Sequence, residues 1–291
     1  MLKIGVVGGS DGNGHPYSWS ALINGFDPEL LGDVPFRTIR DYLKFENAFA
    51  SSQKARVVAI WAPDSEYAAS VAKFAKIPWI APSFEQLCSS VDAILHLRDD
   101  YSHLDKYLEA YIQLKKPVFL DKPLAISEKK ARDRLVMNYR RPWFYSSSAL
   151  RHSRKLSGLE FLPGDSVEIE FGGKLPDYLV HAFQSIYKSF RLGVEPWTVE
   201  SRLFQENAKS VTFVSESDRT LKITWDKDVL GVGVITKAGK ELLDDYAFCF
   251  SAEIREFLDF ALTREIPVSD SETIGVIRLL EAWASELDLT D

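Results

Sequence analysis

Lys122 stands where an amine could take part in chemistry. It follows a predicted buried strand over Pro117–Leu120 and precedes Pro123, and proline restricts the backbone of the residue before it. In an open α/β sheet, ligands bind at the carboxyl ends of the strands. The sequence therefore predicts a cation held at a ligand-binding edge.

Asp177 and His181 are four residues apart in a helix predicted over Asp177–Phe190, so both side chains point to one face. A carboxylate that orients an imidazole suits general acid–base catalysis, because imidazole exchanges a proton near neutral pH. The alternative is a charge at a helix start beside a packed histidine.

The segment GGSDGNGH near the start of the chain predicts a phosphate-binding turn. Its glycines are Gly8, Gly9, Gly12 and Gly14, directly after a predicted strand and before a predicted helix. In this context the backbone approaches a diphosphate and the helix N-terminus favours anions. The alternative is a flexible loop that binds nothing.

The partner expected for a ribose is missing after the second predicted strand. An acidic residue usually ends that strand, but Trp61 is followed by Ala62, and Asp64 is a plausible helix cap. Arg37 or Arg40, in the segment Asp27–Gln53 before that strand, could meet a 2′-phosphate and favour NADP. A solvated loop is the favoured interpretation of that segment.

A basic run from Arg151 to Lys155 could hold an anionic substrate, although a solvated basic surface is the more common meaning. The chain has no Ser-His-Asp order, no phosphate-loop lysine and no His-Glu metal motif. Cys88 and Cys249 have no metal spacing and form no disulfide framework. We predict no metal site.

The first part of the chain alternates strand and helix, which predicts a doubly wound parallel sheet with right-handed crossovers. The predicted strands are Lys3–Val7, Ala55–Trp61, Val91–Leu97 and Pro117–Leu120. Helices are predicted over Ser18–Gly25 and Ser65–Ala75. We expect a dinucleotide-binding domain over residues 1–125.

Residues 126–291 predict a second, α+β domain with a largely antiparallel open sheet, because its strands alternate apolar and polar residues. Its predicted strands are Trp143–Ser148, Ser166–Phe171, Val199–Phe204, Val211–Val214, Thr220–Trp225, Val229–Thr236 and Tyr246–Phe250. Its predicted helices are Ser127–Val136, Asp177–Phe190, Ala252–Leu262 and Ser271–Glu286.

Composition indicates an ordinary globular protein. The 291 residues are 46% hydrophobic and 26% charged, with a net charge of −7, which argues against nucleic-acid or anionic-membrane partners. No apolar run approaches a membrane span, and the start does not read as a signal peptide. We expect a cytoplasmic protein.

Together, Asp121-Lys122-Pro123, Val91-Asp92-Ala93, the glycine turn and Asp177-x-x-x-His181 resemble the glucose–fructose oxidoreductase and inositol dehydrogenase family, Gfo/Idh/MocA. The resemblance covers nearly the whole chain. Asp121 replaces the family's usual glutamate, and Arg98-Asp99 replaces a threonine-proline pair. Gln184 stands where the family often has an aspartate.

The resemblance implies an NAD(P)-dependent oxidoreductase that transfers a hydride between the nicotinamide and a secondary alcohol or ketone. The substrate would be a sugar, a cyclitol or a sugar derivative. Lys122, Asp177 and His181 would be catalytic and, with Arg151, would bind the substrate. The expected contacts to NAD or NADP are Gly8, Gly9, Ser10, Gly12, Asn13, Gly14, His15, Trp61, Arg98, Asp121 and Lys122.

The family also implies a homodimer or homotetramer that associates through the outer face of the second-domain sheet. Apolar or aromatic positions that alternate outward on strands such as 220–236 would be consistent with this association. A different hypothesis is a non-catalytic or regulatory ligand-binding protein on the same scaffold with altered cofactor binding. The missing ribose acid favours that hypothesis, and Lys122, Asp177 and His181 oppose it.

Overall fold

The computed structural model describes residues 1–44, 54–138, 142–175, 178–190, 192, 196–285 and 287. These residues form two compact units, which are described separately. The first comprises Met1–Asp121, Val136–Ser146 and Phe250–Pro267. The second comprises Lys122–Leu135, Ser147–Cys249 and Val268–Asp291.

The first unit is built on a six-stranded parallel sheet in the order β3-β2-β1-β4-β5-β6. Its strands are β1 (Leu2–Val7), β2 (Ala55–Trp61), β3 (Trp79–Ile80), β4 (Ala93–His96), β5 (Val118–Leu120) and β6 (Phe144–Ser146). This order reverses direction between β1 and β4, as in a doubly wound dinucleotide-binding sheet. The predicted fold of this half is confirmed.

The first unit's helices are α1 (His15–Asn24), α2 (Arg37–Leu43), α3 (Ser65–Phe74), α4 (Phe84–Ser90) and α5 (Asp105–Leu114). Side-chain oxygens cap two of them: Asp64 accepts from the amides of Glu66 and Tyr67, and Ser83 accepts from that of Gln86. These caps satisfy amides that a helix start leaves without partners.

Strands β4 and β5 are wholly buried, and β1 is buried from Ile4 to Val7, as expected for parallel strands covered on both faces. The chain leaves these strands at Gly8, Leu97 and Asp121. Because parallel strands end on the same edge, the glycine turn, Arg98 and Asp121 lie together there.

The second unit contains a six-stranded mixed sheet in the order β12-β11-β7-β10-β9-β8. Its strands are β7 (Ser166–Phe171), β8 (Trp197–Phe204), β9 (Ala208–Ser215), β10 (Thr220–Asp226), β11 (Val232–Thr236) and β12 (Gly239–Leu242). Strands β7 and β10 pair in parallel, and the other neighbours are antiparallel. The predicted α+β architecture is confirmed.

The remaining helices are α6 (Glu128–Val136), α7 (Leu179–Phe190), α8 (Tyr246–Thr263) and α9 (Asp270–Ala284). In the second unit, α9 packs on one sheet face, where the indole of buried Trp283 donates to the carbonyl of Ile223. On β10 the buried side chains are Leu221 and Ile223.

Trp225 follows on the same face of β10 as Leu221 and Ile223, and the opposite face carries polar residues, Thr220, Lys222, Thr224 and Asp226. Lys222 lies 2.7 Å from the Glu168 carboxylate, and the Thr224 hydroxyl donates to the same carboxylate at 2.9 Å. The outward positions on this strand are therefore polar. The oligomeric state stays a prediction.

In the second half, one strand prediction is wrong and one predicted strand belongs to the other sheet. Tyr246–Phe250 is the first part of α8, whose i→i−4 bonding begins with Cys249 N–H to the Asp245 carbonyl. A short apolar run cannot be assigned to strand or helix by periodicity alone. The run starting at Trp143 became β6, which extends the parallel sheet beside β5.

The segment predicted as a solvated loop, Asp27–Gln53, contains α2 and a 3₁₀ turn over Pro28–Asp33. Phe36 and Ile39 pack so closely on Gly14 that a Cβ there would lie 2.4 Å from Ile39. Residues 45–53 lie outside the described part of the chain. Among the described residues, no helix has the length and apolar character to cross a membrane.

Candidate active site

The glycine turn of the first unit presents an open loop. Gly9 and Gly12 have φ angles of +86° and +75°, which favour glycine. A Cβ on Gly12 would meet no atom within 4 Å, so this backbone can be approached closely. Among the described residues, the amides of Ser10, Asp11 and Gly12 donate to no protein group.

The start of α1 is less available than the sequence suggested. The amide of His15 donates to the Asn13 side chain at 2.8 Å, and that of Tyr17 donates to the Gly14 carbonyl at 3.1 Å. Pro16 has no amide hydrogen. The loop, more than the helix N-terminus, therefore offers donors to an anion.

Arg98 fastens this turn to the end of β4. Its guanidinium donates to the carbonyls of Gly8 and Gly9 at 2.9 and 3.1 Å. The same group forms a two-pronged bond with Asp100, and the Ser10 hydroxyl donates to Asp99 at 2.6 Å. Burial opposes the charge of Arg98, but Asp100 outweighs burial and raises the guanidinium pKa.

Asp121 links the end of β5 to the same turn. One of its carboxylate oxygens accepts from the Asn13 amide group at 2.8 Å and lies 2.6 Å from Nδ1 of His15. The Asp121 side chain is 1% exposed and that of His15 is 17% exposed. The structure thus brings together predicted contacts from three separate places in the sequence: the glycine turn, Arg98 and Asp121.

The ribose side departs from the usual pattern, as the sequence indicated. The Trp61 carbonyl accepts from the Gly8 amide, and its indole ring packs against Phe84. Asp64 caps α3 and is therefore committed to that helix. No acidic side chain follows β2 before this cap.

These residues fit a dinucleotide through its diphosphate. The open loop, its unpaired amides and the close approach at Gly12 are what a diphosphate requires. In NAD(P), the nicotinamide accepts or supplies a hydride. Ser10, Gly12 and the neighbouring backbone would hold the cofactor.

In the second unit, His181 projects from the first turn of α7. Its Nδ1 lies 2.5 Å from the Ser148 hydroxyl, and the Gln184 side chain accepts from the Ser148 amide. A hydroxyl can accept from a protonated Nδ1 or donate to a bare one. Ser148 therefore holds the ring while allowing either tautomer.

Lys122 and His181 both contact the ring of Tyr178. The Lys122 ammonium lies 5.5 Å from the ring centroid, and the two rings are 5.3 Å apart in an edge-to-face arrangement. Gly173, at φ +102°, leaves room for this ring, because a Cβ there would lie 2.7 Å from it. Lys122 is buried.

Arg151 and Asp177 are the other two residues predicted to bind the substrate. The Arg151 side chain is fully buried, and its Nε lies 3.6 Å from the Glu272 carboxylate within the second unit. A role in substrate binding for Arg151 stays a prediction. Asp177 lies outside the described residues, so its pairing with His181 also stays a prediction.

His96, buried in β4, is bonded through Nδ1 to the Tyr111 hydroxyl at 2.8 Å. Burial, followed by the charge of Arg98, lowers the pKa of His96 to about 3. This histidine is neutral near pH 7, and its surroundings are those of a core residue.

Sequence reasoning missed Ser148 and Tyr178 as members of the site. Tyr178 is three residues before His181, and that spacing on a helix was an available signal. Ser148 had no local signal, because its contact with His181 joins separate segments of the chain.

Residues 41–140 match the family described as oxidoreductase family, NAD-binding Rossmann fold, Gfo/Idh/MocA. The predicted resemblance to this family is confirmed. The predicted cofactor, NAD or NADP, agrees with the family's NAD-binding description. No protein of curated function matches the sequence.

Solved structures share the fold over nearly the whole chain. A Lactobacillus casei myo-inositol dehydrogenase, in complex with NAD(H) and myo-inositol, is 14% identical, with 98% of this chain and 93% of that chain covered and a TM-score of 0.68. A scyllo-inositol dehydrogenase from the same organism is 10% identical, with 98% and 95% covered and a TM-score of 0.69.

A UDP-N-acetylglucosamine 3-dehydrogenase from Acidithiobacillus ferrooxidans is 14% identical, with 98% of this chain and 96% of that chain covered and a TM-score of 0.62. At these identities the likeness concerns the fold, and substrate and activity need separate arguments.

Proposed function

We propose that this chain is an NAD(P)-dependent oxidoreductase that interconverts a secondary alcohol and a ketone on a sugar, cyclitol or sugar derivative. The observation that carries the proposal is the His181 imidazole, held at Nδ1 by Ser148, beside the Tyr178 ring that Lys122 also contacts. The similar solved structures include inositol and nucleotide-sugar dehydrogenases.

The roles of the residues follow from the movement of charge. A bound nicotinamide would supply the acceptor for the carbinol hydride. Nε2 of His181 takes the hydroxyl proton as the carbonyl forms. Ser148 then accepts from Nδ1–H of the imidazolium. Lys122 donates to the substrate oxygen and stabilises the negative charge that develops there. Asp177 would stabilise the imidazolium, as predicted from its spacing.

A first test is titration of NADH and NADPH against the purified protein, followed by their fluorescence. The next step is oxidation of inositols, free sugars and nucleotide sugars with NAD and NADP, followed by absorbance of the reduced nicotinamide. We expect binding of at least one cofactor and turnover of at least one polyol.

Lys122→Met and His181→Asn should each abolish turnover in a folded protein. Lys237→Met is the matched control, because that exposed lysine only pairs with Asp165 on the surface. Full activity of the Lys122 and His181 variants would refute the assignment.

A second candidate function is ligand binding without catalysis. One observation favours it: because Asp64 caps a helix, the chain lacks the acidic residue after Trp61 that usually binds the ribose. Failure of both NADH and NADPH to bind would favour this function over the first.

A further inference from the structure

The first unit contains a carboxylate–histidine pair that the proton transfer described above does not use. Oδ2 of Asp121 lies 2.6 Å from Nδ1 of His15 and 2.8 Å from the side-chain nitrogen, Nδ2, of Asn13. The Asn13 side chain in turn accepts from the His15 amide. Asp121 thus holds the imidazole at Nδ1, and Asn13 holds both the Asp121 carboxylate and the backbone of His15.

The hydrogen bond to Asp121 determines whether Nε2, the other ring nitrogen of His15, can accept a hydrogen bond. The ionised Asp121 carboxylate can only accept, so Nδ1 of His15 donates to it. In the neutral ring, Nε2 is then an acceptor. This nitrogen has no partner among the described residues, and the side chain is 17% exposed. A ligand hydroxyl could therefore donate to it.

The position of the pair in the sheet indicates which hydroxyl this is. His15 opens α1 after β1, whereas Asp121 ends β5, and β4 lies between the two strands. A dinucleotide crosses a doubly wound sheet at this reversal, one nucleotide half on each side of the diphosphate. The bond to Asp121 ties His15 to the half of the sheet formed by β4, β5 and β6.

We propose that Nε2 of His15 accepts a hydrogen bond from a ribose hydroxyl beyond the diphosphate, in the nicotinamide half of the cofactor. This inference rests on the proposed function, because it assigns the dinucleotide to the glycine turn. The first unit would then contact the ribose on the other side of the diphosphate from the one that an acid after β2 usually binds.

ADP-ribose and ADP separate this contact from the others, because only ADP-ribose carries the second ribose. Their dissociation constants are measured by calorimetry for the unsubstituted protein and for His15→Asn. Asparagine keeps a donor near Nδ1, and hence the bond to Asp121, but has no atom at Nε2. His103→Asn is the control, since that side chain is 62% exposed.

One lost hydrogen bond should weaken ADP-ribose about 3- to 10-fold in His15→Asn and leave ADP within about twofold. His15→Gln, whose amide reaches the Nε2 position, should bind ADP-ribose more tightly than His15→Asn does. His103→Asn should match the unsubstituted protein.

Unchanged ADP-ribose binding in His15→Asn would overturn the proposal, as would an equal loss for ADP and ADP-ribose. Equal affinities of the asparagine and glutamine variants would also overturn it. If the unsubstituted protein binds neither nucleotide, the proposed function falls, and this inference falls with it.

Discussion

Arg98 should be a main support of the glycine turn, and Arg98→Met tests this. The side chain is 9% exposed and forms two bonds to turn carbonyls in addition to the fork on Asp100. At about 1.5 kcal/mol for each hydrogen bond to a charged group, the two carbonyl bonds amount to about 3 kcal/mol. The Asp100 pair adds at most about 1 kcal/mol, because that carboxylate is partly exposed.

We therefore expect Arg98→Met to lower the free energy of unfolding by about 3–4 kcal/mol and to weaken NADH binding. Urea denaturation, followed by tryptophan fluorescence, measures the first effect. Arg37→Met is the control: its side chain is 87% exposed and forms one ion pair, at 3.5 Å with Asp41. Its effect should stay within about 0.5 kcal/mol. Equal stabilities of the two variants would refute the reasoning.

Three further predictions concern the second unit. Arg278, 2.8 Å away, is the main cause that lowers the pKa of Glu128 to about 2. A carboxyl group whose pKa is lowered in the folded protein stabilises the fold at pH values above its usual pKa. This stabilisation is lost as the pH falls towards 2. Because both groups are partly exposed, Glu128→Gln should remove only about 1 kcal/mol of this pH dependence, measured by urea denaturation at a series of pH values. Gly173→Ala combines a φ of +102° with a clash against Tyr178 and should cost about 2–3 kcal/mol, seen as a lower unfolding midpoint; an unchanged midpoint would contradict the packing described. Ser148→Ala should lower kcat about tenfold and leave the NADH dissociation constant unchanged, because it releases the imidazole without touching the glycine turn; a changed NADH affinity with normal kcat would count against the assigned role.

Much of the fold could be predicted from local patterns. The bounds of β2, Ala55–Trp61, match the prediction, because a buried parallel strand appears as a continuous apolar run. The sequence was less informative at Tyr246–Phe250, where the same kind of run begins a helix. It also placed β6 in the wrong sheet, since strand pairing depends on partners distant in the chain.

The sequence by itself determined which chemical groups stand at the ends of the parallel strands. A glycine turn after β1 and Asp121-Lys122 after β5 follow from the order of strands and helices, which local periodicity encodes. The tertiary structure decided which groups meet. Asp121 contacts His15 across 106 positions, and Ser148 contacts His181 across 33. Such contacts depend on strand order and helix packing, so no spacing in the sequence reveals them.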